Sequence, residues 1–173
     1  IKNSDLDEVK LIVKRGEELI EIVVKREKVE IPSVNGQVVE YEGKKIGYIT
    51  IDVFSSVSYH QTKTKLKKLE KEGIDGLVID VRSNSGGYLD AVTDISSLFL
   101  QKGKIIYQLE DSNSVQKIKD STKEYTNYPI AVLVNAGSAS ASEIFAAAIK
   151  ESYGGFVVGT NTYGKGTVQK TKV

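Results

Sequence analysis

The chain contains no cysteine, no methionine and no tryptophan, and only two of its 173 residues are proline and one is histidine. Without cysteine it has no disulfide, no thiolate metal site and no cysteine nucleophile. A single histidine leaves His60 as the one residue on which a Ser-His-Asp arrangement could be built. Long apolar runs are missing too: the longest, residues 130–134 and 144–149, fall far below the roughly 18 residues of a membrane-spanning helix. Nor is there an excess of charge of one sign. With 24 basic against 23 acidic residues and a net charge of +1, the electrostatic footprint of a nucleic-acid partner is absent. Lysines gather only in KTKLKKLEKEG, residues 63–73, which reads as the solvated face of a helix. The chain opens with Ile-Lys-Asn-Ser rather than a charged and apolar leader, so it is expected to be a processed chain or an excised piece.

What is present is an ordinary folded composition, 40% hydrophobic and 27% charged, enough for one core with a small appendage. Residues 9–54 read as strands, with β-branched and partly alternating segments EVKLIV, ELIEIVV, KVEIP, QVVEYEG and KKIGYITIDVF, and turn signals at Arg15-Gly16 and Asn35-Gly36. From Ser58 the period becomes helical and ends at Gly73. GLVIDVR then has the continuous apolar character of a strand covered on both faces. A helix over YLDAVTDISSLFLQKG, a strand KIIYQLE, a polar loop over residues 111–127, a strand PIAVLVN, a helix SASEIFAAAIKESYG and a strand FVVG complete the chain. This alternation predicts an α/β fold with right-handed crossovers and a largely parallel sheet.

In such sheets ligands sit beyond the carboxyl ends of the strands, where strand-to-helix turns gather. Two turns qualify, DVRSNSGGYLD and NAGSASASE. Each places small residues where a helix begins, so unpaired N–H groups and a helix dipole face one crevice, which suits an anion or a transient oxyanion. Bland alternatives stand beside this. Gly86-Gly87 has the composition of a tight turn, and Ser138, Ser140 and Ser142 are each potential helix caps, with Glu143 available for a capping box. Local composition does not single out one serine. GTNTYGKG, residues 159–166, nearly matches the phosphate loop GxxxxGK[ST], but Gly166 stands where a hydroxyl should ligate magnesium. His60 lies at the start of the lysine-rich helix and reads as a surface residue. A serine nucleophile without histidine can use a desolvated lysine, and Lys165, between two glycines, is the lysine least like a solvated face.

Taken together, DVRSNSGG, NAGSASASE and YGKGTVQ, in this order, resemble the carboxyl-terminal processing proteases, tail-specific serine peptidases of family S41 that use a Ser-Lys dyad. The family patterns are roughly DLRxNPGG, NxGTASASE and FGKGxVQ, so Ser85, Ser138 and Tyr163 are departures from them. The resemblance implies Ser140 as nucleophile, Lys165, 25 residues later, as base, Gln169 as the residue assisting the dyad, and the amides of Gly86 and Ala141 as oxyanion hole. It implies a crotonase- and ClpP-like spiral core over residues 32–173, preceded in residues 1–31 by the closing strands of a PDZ-like domain. It also implies peptide or protein substrates, no metal or organic cofactor, an extracytoplasmic bacterial location, a homo-oligomer in a longer protein and membrane-associated substrates. Strands that follow VQ in the family are absent here, so the isolated chain is expected to be weakly active or inactive, with activity restored when the missing segments are supplied. A non-catalytic peptide-binding core is the alternative from another class, and a phosphate-binding NTPase-like module the weaker one.

Overall fold

The computed structural model describes residues 7–25, 32–123 and 125–168. The chain divides into two compact units, residues 1–31 and 32–173.

In the first unit β1 (Glu8–Arg15) and β2 (Glu18–Lys25) form an antiparallel hairpin, registered from Glu8 opposite Lys25 to Arg15 opposite Glu18. The turn expected at Arg15-Gly16 is there, with Gly16 at φ +66°, a conformation that costs glycine little. The strand expected over KVEIP falls largely on residues outside those described.

The second unit is built on a five-stranded sheet of order β3-β4-β5-β8-β9, from β3 (Val34–Tyr41), β4 (Lys44–Ile51), β5 (Gly76–Asp80), β8 (Ile130–Val134) and β9 (Phe156–Gly159). Only the β3–β4 pair is antiparallel; β4–β5, β5–β8 and β8–β9 are parallel. The sheet is therefore largely parallel, as the alternation of strand and helix predicts. Between the strands run α1 (Ser58–Lys71) and α2 (Leu89–Ser96), and α3 (Ala141–Ala147) continues directly into a π-helical turn, Ala148–Tyr153. Helix α1 buries Ser58, Thr62, Leu66 and Leu69, a stripe at helical spacing, and leaves its lysines outside.

Three sequence expectations need correction. Asn35-Gly36 is not a turn but lies inside β3, paired with Thr50 and Ile49 of β4; a Cβ on the glycine would meet Lys65 Cβ of α1 at 3.2 Å. The reversal between β3 and β4 falls instead at Glu42 and Gly43, both at positive φ, as a two-residue hairpin turn requires. The helix expected over residues 88–103 stops at Ser96, where bonds tighten to Leu98 N–H to Ile95 O and Phe99 N–H to Ser96 O. The loop expected over residues 111–127 contains β7 (Val115–Lys119), antiparallel to β6 (Ile105–Glu110) in a separate two-stranded sheet. Its sequence, VQKIK, is too polar and short to announce a strand.

The core is formed by Ile49, Ile51, Leu77, Ile79, Ile130 and Val132 on the sheet, with Ile95, Phe99 and Phe145 packed over them. Phe145 stacks edgewise on Phe99 at 6.0 Å between ring centroids and lies at a tilt 6.3 Å from Phe54. This anchors α3 one turn beyond its first residue.

Candidate active site

The parallel strands β5 and β8 end side by side, which brings the two turns singled out in the sequence together. Side chains then stitch one turn to the other. Ser138 Oγ donates to Val81 O at 2.7 Å, Ser142 Oγ to Asn84 O at 2.8 Å, and Ser83 N–H to Asn135 Oδ1 at 2.8 Å. Asn84 is itself fixed by its Nδ2 donating to Ile51 O at 2.7 Å. Glycine is required at Gly137, where a Cβ would lie 2.9 Å from Ser83 Cα, and at Gly87, where it would lie 2.1 Å from Phe54 O.

These bonds separate the three serines that composition left equivalent. Ser138 and Ser142 are buried and their hydroxyls are committed to main-chain carbonyls. Ser140 is half-buried, caps α3, and lines a cavity of about 950 Å³. Its backbone, at φ +56° and ψ −114°, is rarely adopted by a residue with a Cβ and costs on the order of 1–3 kcal/mol. The surrounding bonds hold it there.

Glu143 completes the arrangement. One carboxylate oxygen, Oε2, accepts the N–H of Ser140 at 2.8 Å and the N–H of Lys165 at 3.1 Å; the other, Oε1, accepts Gly164 N–H at 2.6 Å and Thr162 Oγ at 2.8 Å. Burial pushes this carboxyl upward, but the bonds from Thr162, Lys165, Gly164 and Ser140 outweigh it and hold the group below the usual glutamate value. Tyr163 N–H adds a bond to Ser138 O at 3.0 Å. The loop after β9 is thereby fastened to the start of α3. The sequence pointed to Glu143 only as half of a capping box; its spacing three residues beyond the N-cap was the available signal, and nothing local announces its bonds to residues 162–165.

Lys165 lines the same cavity as Ser140 and Ala141. Its side chain is exposed and its Nζ makes no hydrogen bond among the described residues. Gln169 lies outside the described residues. His60 is exposed on α1 and does not line the cavity. Of the two glycines, Gly86 is buried, with its N–H donating to Asn84 Oδ1 at 2.8 Å, whereas Gly87 is exposed to the cavity. Neither the Gly87 N–H nor the Ala141 N–H donates a hydrogen bond among the described residues. The segment GTNTYGKG runs from the end of β9 into a loop, and residues 165–168, where a phosphate loop has already entered its helix, are not helical.

An ion pair supports the first turn. Asp80, nearly buried at the end of β5, accepts Arg82 Nη2 at 2.6 Å and Tyr48 OH at 2.5 Å. Burial raises the Asp80 carboxyl, yet the bonds from Arg82 and Tyr48 prevail and its pKa is lowered.

The comparisons with known proteins agree with this fold. Residues 45–173 match the family model described as Peptidase family S41. The chain is 39% identical over 176 residues to a probable CtpA-like serine protease of Staphylococcus aureus, covering 99% of this chain and 34% of that protein. It is 37% identical over 168 residues to the probable CtpA-like serine protease of Staphylococcus epidermidis, covering 95% and 33%. The chain thus spans about a third of the length of these curated relatives. Among solved structures, the photosystem II D1 C-terminal processing protease superposes with a TM-score of 0.71 at 28% identity, over 91% of this chain and 45% of that one. A putative S41 protease from Bacteroides fragilis shares the fold, with a TM-score of 0.66 at 18% identity over 91% and 47%. The motifs, the stitched turns and the breadth of the family match lead to one conclusion: this chain belongs to peptidase family S41.

Proposed function

We propose that the chain is the core of a serine endopeptidase in which Ser140 and Lys165 form a Ser-Lys dyad. The observation that carries this reading is that the amides of Ser140 and Lys165, 25 residues apart, donate to the same oxygen of Glu143 beside one cavity. In the reaction Ser140 Oγ attacks the scissile carbonyl carbon as Lys165 Nζ takes its proton. The tetrahedral oxyanion is met by the N–H of Ala141 and by one from the Gly86-Gly87 turn. Gly87 is the donor already facing the cavity, while Gly86 serves only if its bond to Asn84 opens. Collapse breaks the C–N bond, Lys165 returns the proton to the leaving amine, and an acyl-enzyme on Ser140 remains. Water, deprotonated by the same lysine, then releases the carboxylate product and restores the serine. A bound peptide covers Lys165 and excludes water from its exposed side chain. Gln169 orients the lysine.

The substrates in this reading are peptide segments without stable structure, near protein C-termini, presented outside the cytoplasm. Residues 1–31 are read as strands of a PDZ-like domain, and the full-length protein as a homo-oligomer. Relatives named CtpA-like serine protease and the D1 C-terminal processing protease support this reading. No helix of the described residues is long and apolar enough to cross a membrane.

A serine-directed fluorophosphonate probe tests the dyad. Labelling of the wild-type chain that is lost in both Ser140→Ala and Lys165→Ala, with folding retained, supports it. Equal labelling of Ser140→Ala and wild type rejects it.

A further inference from the structure

The cavity beside Ser140 has two walls with different chemistry. One is a single face of α3 and the π turn, where Ser140, Ile144, Ala147, Ala148 and Glu151 recur at helical spacing. The other is β6, of which five consecutive residues, 105–109, line the space. Side chains of a strand alternate between faces, so the unbroken run 107–109, beyond the register shift between Ile105 and Tyr107, marks the strand's edge rather than its surface. The opposite edge of β6 is taken by β7. That hairpin closes with Asp111 N–H donating to Ser114 O. In an antiparallel ladder successive residues turn their main-chain groups to alternate edges, so the N–H and C=O of Gln108 point away from β7 and towards the cavity. An unpaired strand edge beside an apolar trough is what an extended peptide can join as an added strand.

Three ionisable side chains of Asp, Glu or Lys line this space: Glu143, Glu151 and Lys165. The Glu143 carboxylate is engaged by four donors, and Lys165 belongs to the proposed dyad. Glu151 is exposed and makes no ion pair or hydrogen bond among the described residues. Beside it, Ser152 Oγ donates to Ile105 O at 2.5 Å, which ties the end of the π turn to the beginning of β6. Glu151 stands eleven residues along the helical wall from Ser140, about 16 Å at the usual helical rise. An extended peptide covers that distance in roughly four to five residues.

From these observations, and resting on the proteolytic reading above, we infer that the groove binds its substrate as a strand on the β6 edge, with Glu151 selecting a basic side chain four or five residues from the scissile bond. The substrate class is an extended peptide with uncharged, apolar residues against Ile144 and Ala147 and a lysine or arginine at the far end of the trough. Glu151 acts as a specificity residue and does not touch the reacting atoms.

The test separates binding from catalysis. Ten-residue fluorescent peptides, uncharged except for one lysine or one glutamate placed at each position in turn, are titrated by anisotropy against the Ser140→Ala chain and the same chain with Glu151→Lys. One position is expected to favour lysine over glutamate by about fivefold in Kd with Glu151, as an exposed ion pair allows. The preference reverses with Glu151→Lys, and both effects shrink in about 0.5 M salt. A preference of the same sign in both proteins, or no peptide binding at all, overturns the inference. Fluorophosphonate labelling of Ser140 in the wild-type chain is read in parallel. Labelling without the charge reversal rejects the groove assignment and leaves the hydrolase standing. Charge reversal without labelling rejects the dyad and leaves the groove.

Discussion

The main-chain N–H groups of Ser140 and Lys165 converge on Oε2 of Glu143, at 2.8 Å and 3.1 Å. One carboxylate, held by four donors, thus ties the turn bearing the serine to the loop bearing the lysine. Loop residues are placed well when a scaffold element holds them; here that element is the first turn of α3.

Removing that carboxylate should therefore separate the two loops. Glu143→Ala is expected to lower kcat for peptide cleavage by at least about tenfold, since a displacement of about 1 Å already costs that much or more. Glu143→Gln, which retains an acceptor for some of the four donors, should lie between it and wild type. Equal rates for all three proteins would remove Glu143 from the site's architecture.

The same group gives a pH dependence. Its folded pKa is depressed below the unfolded value, so its stabilisation is fully present above the ordinary glutamate value and is lost as pH falls through the folded one. Thermal unfolding of wild type and Glu143→Gln should differ most near neutrality and converge below about pH 4. A gap that widens on acidification contradicts the assigned bonds.

The three serines should separate in function as they do in hydrogen bonding. Ser140→Ala is expected to abolish cleavage and keep the fold. Ser138→Ala and Ser142→Ala should retain activity but lose stability, by about 0.5–1.5 kcal/mol for each hydrogen bond removed; Asn135 N–H loses its acceptor in Ser138→Ala, while Val81 O and Asn84 O keep the bonds donated by Asn84 N–H and Ala139 N–H. Chemical denaturation and a cleavage assay on the three variants decide the point.

In the proposed dyad Lys165→Ala should match Ser140→Ala in its loss, because members of one catalytic unit are not additive. His60→Ala should cleave normally, as His60 is exposed on α1 away from the cavity. The reverse pattern in steady-state rates points to a histidine base.

Gly87→Ala probes the turn that faces the cavity. At φ +145° with Phe54 O 2.1 Å from the new Cβ, the substitution must push apart the bridge between Phe54 and Gly87. A loss of both cleavage and thermal stability is expected, measured on the same preparation; a variant with wild-type values in each would show that the turn yields freely.

Much of this protein follows from local sequence. The apolar runs of β5 and β8, the stripe of α1 and the succession of strand and helix specify a largely parallel sheet, because burial of those faces admits few other layers. The motifs DVRSNSGG, NAGSASASE and YGKGTVQ were enough to name the family, since each residue type in them is legible one position at a time. What local sequence does not contain is which atoms meet. Asn35-Gly36 has the composition of a turn, yet pairing with Thr50 and Ile49 of β4 makes it strand. Three serines of equal local character are distinguished only by what lies opposite them: Val81 O, Asn84 O, or a cavity. The Gly86 amide donates to Asn84 Oδ1, two residues earlier, a bond that its glycine-rich setting does not announce. The convergence of Ser140 and Lys165 on Glu143, and the open edge of β6 beside Glu151, exist only after segments distant in the chain are packed together. Tertiary structure decides these matters because hydrogen bonds act over about 3 Å, and only packing brings such segments within that range.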